Sequence, residues 1–317
     1  MTEELSSSFI FNSKELLMKK FLLKFVGFSV FCAFAFFFVL GIHFIRLNAI
    51  SFEIPAGKTL LFIGDSHMET GIDEAIIPGA FNFAQSGDPY FDQYFRLVKI
   101  LKDNPQLKTV FITATPHSLA KYGDARIFSD YTMQNVVPNA LPIYGFEIWR
   151  MYLTESPRRF VTFLFSQPFS FAKSTVSSRD GLMKKLGARR VSEGKNLAKS
   201  IQKERDPNAV GRLHGDDSVG NVRQIVYLRK MVEAVRTHGA EVIFLNLPLY
   251  SDEEFFDVPY FENLLKAEFP DVKFWDYADF PIPDDCRQDV NHLNRWGAEI
   301  FSRELVKRMK REGFLSK

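Results

Sequence analysis

Hydrophobic positions along this chain follow three distinct rhythms. The first is an unbroken run. Residues 25–45, "FVGFSVFCAFAFFFVLGIHFI", contain no formally charged side chain, and about 20 such residues in a helix match a hydrocarbon core of ~30 Å. The second rhythm is a set of short, nearly continuous apolar stretches: "KTLLFIG" (58–64), "AFNFAQ" (80–85), "KTVFIT" (108–113), "EVIFLNL" (241–247) and "VKFWDY" (272–277). Their length and β-branched or aromatic content predict strands buried on both faces. The third rhythm has the helical period. It covers 91–103, 222–239, which is stopped by Gly239, and 294–311, where basic residues crowd the last turns and complement the helix dipole. Strands alternating with helices predict an α/β fold whose parallel sheet is covered on both faces, and ligands in such sheets bind beyond the carboxyl ends of the strands.

The charges flanking the long run set an expected topology. Lys14, Lys19, Lys20 and Lys24 precede it and Arg46 closes it, so the positive-inside bias predicts a cytoplasmic tail at 1–20, a transmembrane signal-anchor at 21–46 and an extracytoplasmic domain at 47–317. A cleaved signal peptide is the competing reading; its apolar region would be shorter and followed by a small-x-small site, and none is evident. His43 falls near the outer end of the run, where it can face the interface. The expected location is the plasma (inner) membrane, single-pass, and the absence of an Asn-x-Ser/Thr sequon in the outer part leans toward a bacterial envelope.

The alternation fails between about 119 and 220. About 100 residues are too many for a simple connection, which predicts an inserted helical cap or arm. Its first half is aromatic and apolar. Its second half, 173–212, holds eleven Lys/Arg against four Asp/Glu, either a solvated face or a contact with anionic headgroups or an acidic polymer.

Composition narrows the function classes. The 317 residues are 46% hydrophobic and 25% charged, which suits an ordinary globular core, and the net charge of +2 gives no reason to expect a nucleic-acid partner. The two cysteines, Cys32 and Cys286, lie far apart, and there is no CxxC or HExxH, so neither a disulfide framework, a metal site nor a cofactor is expected.

The candidate chemistry begins where the first strand ends in "GDSH", 64–67. Ser66 stands just past the strand's carboxyl end. A serine hydroxyl needs a base to become a nucleophile; His292 is the candidate, with Asp289 three residues earlier able to hold the other ring nitrogen and fix the tautomer. The backbone N–H groups of Ser66 and Gly87 are candidate oxyanion donors. Structural alternatives stand beside these roles: Ser66 as an N-cap, Asp289 as a cap of the last helix, His292 as a surface residue.

Three blocks in order carry a family resemblance. "GDSH" resembles block I of the SGNH/GDSL hydrolase superfamily, "NFAQSG" (82–87) resembles block II, and "DVNH" (289–292) ahead of "LNRWGAEIFSREL" resembles block V. The resemblance covers ~58–117 and ~222–311. It implies a three-layer α/β/α sandwich with a parallel five-stranded flavodoxin-like sheet, and a Ser66–His292–Asp289 triad. Where many members carry Gly-x-Asn-Asp, this chain has "TATPHS" (113–118); Thr115 or His117 could supply the missing donor, or His117 could pack under the insertion. The anchor and this departure resemble the membrane-bound branch related to alginate O-acetylation and teichoic-acid D-alanylation proteins. That likeness implies transfer or removal of an acyl group, acetyl being the expected one, on a cell-envelope glycan, beside a multipass membrane-bound O-acyltransferase. A lipid or small-ester hydrolase and a non-catalytic glycan-binding scaffold are the alternatives.

Overall fold

A computed structural model describes residues 2–119, 122–141, 143–166, 176, 178–185, 222–248, 258–289 and 291–316. The five apolar stretches form strands β1 (Leu60–Ile63), β2 (Ala80–Asn82), β3 (Thr109–Thr113), β4 (Glu241–Asn246) and β5 (Lys273–Asp276). They make one sheet in the order β2-β1-β3-β4-β5, with every pairing parallel. The protein is thus α/β, as its pattern predicts.

Each strand divides its side chains between two cores, which is why the stretches read as continuous rather than alternating. Leu61, Ile63, Val110, Ile112 and Phe244 join one cluster, whereas Leu60, Phe62, Phe111, Ile243 and Leu245 join the other. The chain's helices begin with α1 (Thr2–Asn48), the long N-terminal one; α2 (Ser66–Gly71) and α3 (Tyr90–Asp103) flank β2 in sequence. The insertion supplies α4 (Tyr122–Ile127), α5 (Asp130–Asn135), α6 (Val137–Ala140), α7 (Gly145–Glu155), α8 (Pro157–Ser166) and α9 (Arg179–Lys185). Helices α10 (Val222–His238), α11 (Val258–Glu268) and α12 (Arg295–Arg311) follow. Leu97 and Ile100 of α3 and Leu228 and Val232 of α10 belong to the first cluster; Met68 of α2 and Phe301 and Leu305 of α12 belong to the second. Helices therefore cover both faces of the sheet.

The predicted insertion is helical as far as it is described, and its apolar half feeds the first cluster through Ile127, Val137, Ile148, Tyr152 and Phe160. Most of the basic stretch 173–212 lies outside the described residues. The part of α1 from Leu17 to Asn48 is long and apolar enough to cross a membrane, and hardly any of it is buried by the rest of the chain. Its end, however, is docked. His43, expected at the interface, is fully buried, and its Nε2 donates to the Pro138 carbonyl at 2.7 Å. Phe44 meets Trp149 at 5.7 Å and Phe36 stacks on Phe165 at 5.4 Å, ring to ring. Just beyond, the Phe52 and Ile54 N–H groups donate to Asp103 Oδ2 (2.7 Å) and Asn104 Oδ1 (2.8 Å) at the end of α3. Helix α1 is joined to the rest of the fold by packing and hydrogen bonds, not by a loose tether.

Candidate active site at the strand ends

The sheet order places two loops side by side. From β1 the chain turns into α2 on the second-cluster face, while β3 leads toward α10 on the first. The carboxyl ends of β1 and β3 therefore border the point where the winding reverses, where open α/β sheets leave a crevice. Gly64 makes the approach possible: a Cβ there would lie 1.8 Å from Thr113 Oγ1. After it, Asp65 caps α2, its Oδ1 accepting the His67 N–H at 3.0 Å. Ser66 is thus the first helical residue and not the cap, which leaves its hydroxyl free of that structural task.

Asp289 and His292 are brought together. The segment folds back on itself, with the Gln288 N–H donating to the His292 carbonyl (2.8 Å) and a bridge joining Arg287 to Leu293. Both Asp289 carboxylate oxygens lie on His292 Nδ1, at 2.7 and 2.9 Å, and Oδ1 also accepts the Asn291 N–H at 3.0 Å. Burial pushes the Asp289 carboxyl up, but the hydrogen bond and charge of His292 with these N–H groups bring it below its ordinary value. The α12 cap is Asn294, whose Oδ1 accepts from the N–H groups of Trp296 and Gly297, so Asp289 is not spent on capping. The His292 ring reaches the "GDSH" turn, 5.6 Å from the ring of His67. Among the described residues, no hydrogen bond joins Ser66 Oγ to His292.

The loop after β3 turns its polar groups inward. Thr115 Oγ1 lies 2.8 Å from His117 Nδ1 and 2.7 Å from Ser118 Oγ, and Ser118 Oγ donates to Asp65 Oδ2 at 3.1 Å. His117 Nε2 is 3.2 Å from that same oxygen. The His67 ring stands nearly perpendicular to that of His117, 4.6 Å away. Burial pushes the Asp65 carboxyl up, yet His117 and His67 hold it well below the usual carboxylate range; burial also brings His67 down to about 3, so its ring is neutral. Thr115 and His117, the expected auxiliary donors, are both engaged with this network.

Gly87 adopts φ +68°, and a Cβ there would strike the Arg126 guanidinium, whose Nε donates to the Gly87 carbonyl at 2.7 Å. The neighbouring Ser86 gives both its N–H and its hydroxyl to Glu69 of α2, and buried Arg96 pairs with Asp88 and donates to Gln85 at 2.9 Å. The loop after β2 is thus clamped from both sides.

Sequence reasoning singled out Ser66, His292, Asp289 and Gly87 but passed over Asp65, His67 and Ser118. The available signal was the pair of polar triplets, "DSH" and "PHS", each just beyond a strand that the doubly wound order makes adjacent. No protein-family model and no curated protein matches the chain.

Proposed function

We propose that this protein is a membrane-anchored, SGNH-like serine enzyme that transfers or removes an acyl group, acetyl in the simplest case, on a cell-envelope polysaccharide. Ser66 Oγ attacks the acyl carbonyl as its proton passes to His292; the departing oxygen takes that proton, and the acyl-enzyme is resolved by a glycan hydroxyl or by water. Asp289 orients the imidazole and stabilises its charged form. The backbone N–H groups of Ser66 and Gly87 serve the oxyanion. The observation that carries this reading is the two-oxygen grip of Asp289 on His292 Nδ1 at 2.7 and 2.9 Å, with the ring set against the "GDSH" turn. Contacts of this kind often tighten only when substrate is bound, which accommodates the absent Ser66–His292 hydrogen bond.

The anchor and insertion support the location. The lysines preceding the apolar run support a domain outside the cytoplasm, through the positive-inside bias. Helices α7 and α8 rest on α1 at Phe36 and Phe44, inside that run, and Phe146 and Phe165 are 81% and 65% exposed. At 1.5 Å per residue, Phe36 lies ~13 Å along α1 from Ile45, which supports an insertion whose exposed phenylalanines contact the outer leaflet. A multipass O-acyltransferase in the same membrane is the partner that would supply or receive the acyl group.

The test is Ser66→Ala in the full-length, membrane-bound protein. O-acyl groups on the envelope polysaccharide should fall by at least ~10²-fold with an unchanged melting temperature, because the hydroxyl caps nothing. Full acylation at normal expression would overturn the reading and leave a glycan-binding module.

A further inference from the structure

The loop after β3 fixes its own protons, and the result is two lone pairs that face each other. A carboxylate only accepts hydrogen bonds, so the bond from Ser118 Oγ to Asp65 Oδ2, 3.1 Å, uses the Ser118 proton. The 2.7 Å bond between Thr115 and Ser118 then takes the Thr115 proton, and the 2.8 Å contact between Thr115 and His117 Nδ1 has to be donated by the ring. A neutral His117 in that tautomer aims the lone pair of Nε2 at Asp65 Oδ2, 3.2 Å away. Two lone pairs facing each other repel; a positive centre between them makes the contact favourable.

A proton on Nε2 would satisfy His117 alone. His67 presents the same need. It is 7% exposed, and its Nδ1, 3.8 Å from Asp65 Oδ1, has no hydrogen-bond partner among the described residues. One donor atom from each of Asp65, His67 and His117 lies within 4.8 Å of the others. We propose that these three residues bind a divalent transition-metal ion, zinc in the first instance. Two imidazoles and one carboxylate are a donor set that suits zinc better than magnesium or calcium, which favour oxygen. Small side-chain movements bring ligands at these spacings onto one tetrahedral ion. Thr115 Oγ1 accepts from His117 Nδ1 and so holds the His117 tautomer, as the far nitrogen of a metal-binding histidine requires. The His117 side chain is 28% exposed, so ions have a route in, and three protein ligands leave a fourth position for water or substrate.

This goes beyond the acyl-transfer reading, since Ser66, His292 and Asp289 are not ligands and binding is measurable without turnover. The experiment strips the purified full-length protein in detergent with a chelator, then titrates Zn²⁺ alone by calorimetry and Co²⁺ alone by visible absorption. One equivalent should bind and raise the melting temperature, with tetrahedral Co²⁺ bands. His67→Ala and His117→Ala should each weaken binding by roughly 100-fold or more, above the 10–100-fold typical of losing an orienting group. His238→Ala, remote from the cluster, should leave it unchanged, and metal-free melts check that each variant is folded. His117→Gln keeps the bulk and should also lose the Co²⁺ spectrum. Failure of the parent protein to bind either ion overturns the proposal and leaves an imidazolium–carboxylate pair. Equal binding by folded His67 and His117 variants overturns it as well.

Discussion

Gly64→Ala probes the strand-end geometry most directly. The added methyl would lie 1.8 Å from Thr113 Oγ1, 2.7 Å from Thr113 Cβ and 3.0 Å from Met68 Cβ. Rotating Thr113 about χ1 removes the first overlap but not the second, because the Cβ is fixed by the β3 backbone. The β1–β3 ladder, in register from Leu60↔Thr109 to Ile63↔Ile112, has to open at one end. That opening also disturbs the hydrogen bond from the Gln85 N–H to the Gly64 carbonyl, 3.0 Å. Overpacking of this kind costs about 1–3 kcal/mol and occasionally more. At ~2–4 °C per kcal/mol for a domain of this size, the melting temperature should fall by about 2–12 °C. The assay is a thermal melt of the full-length protein in detergent, run as a double-mutant cycle. Of the two offending atoms Thr113→Ala removes Oγ1 and keeps Cβ, whereas Thr113→Gly removes both, so Gly64→Ala/Thr113→Gly should be less destabilised than the sum of its singles. A Gly64→Ala protein melting within about 2 °C of the parent, or a cycle additive within ~0.5 kcal/mol, would refute the close-approach argument.

Two further outcomes are expected. Arg96→Met strands the Asp88 carboxylate in a site where both residues are almost wholly buried, so it should cost about 3–5 kcal/mol, with part regained by adding Asp88→Asn; an unchanged melt would dispose of the buried pair as a structural element. Phe146→Trp in reconstituted vesicles should show extra fluorescence quenching by lipids brominated on their acyl chains, relative to the parent protein; extra quenching by a water-soluble agent instead would place α7 away from the bilayer.

How much of this was legible beforehand depends on the range of the interaction involved. Local patterns were readable. All five strands occur at the predicted stretches, and α3 and α12 lie within a residue of the periods that announced them, because side-chain periodicity is a property of neighbours in sequence. β2 was over-extended: past Asn82 the chain still bonds to β1, with the Phe83 N–H on the Phe62 carbonyl, but the Asn82 side chain is diverted to the carbonyls of Met68 and Ile72. Long-range placement was not readable. Asp65 and His117 are 52 residues apart, and they meet only because β1 and β3 pair directly, which the apolar stretches do not encode. His43 reads as an interfacial residue until the insertion, 95 residues later, supplies the Pro138 carbonyl. The helix caps needed backbone geometry: "DS" and "LN" each offer a polar residue, and Asp65 and Asn294 take the role.

The same topology sets the distance at which the proposed chemistry would work. Because the strands are parallel, every carboxyl end faces one way, and α3 returns antiparallel to them, its first residue beside Thr113 through the Tyr90 hydroxyl and its last residues at the opposite edge. The chain leaving the anchor is fastened at that opposite edge, at Asp103 and Asn104. The "GDSH" turn therefore stands one strand length from the junction with α1, ~15 Å for a five-residue strand. The insertion spans this distance: it departs from the loop bearing His117 and its later helices rest on Phe36 and Phe44 of the anchor. On the proposed reading, a site so placed is held at a set distance from the bilayer, within reach of an acyl group handed over at the membrane surface and of a polymer lying outside it. The buried His43–Pro138 contact fixes the end of α1 against the insertion, so the strand-end crevice keeps a set distance from that helix, which a flexible tether would not maintain.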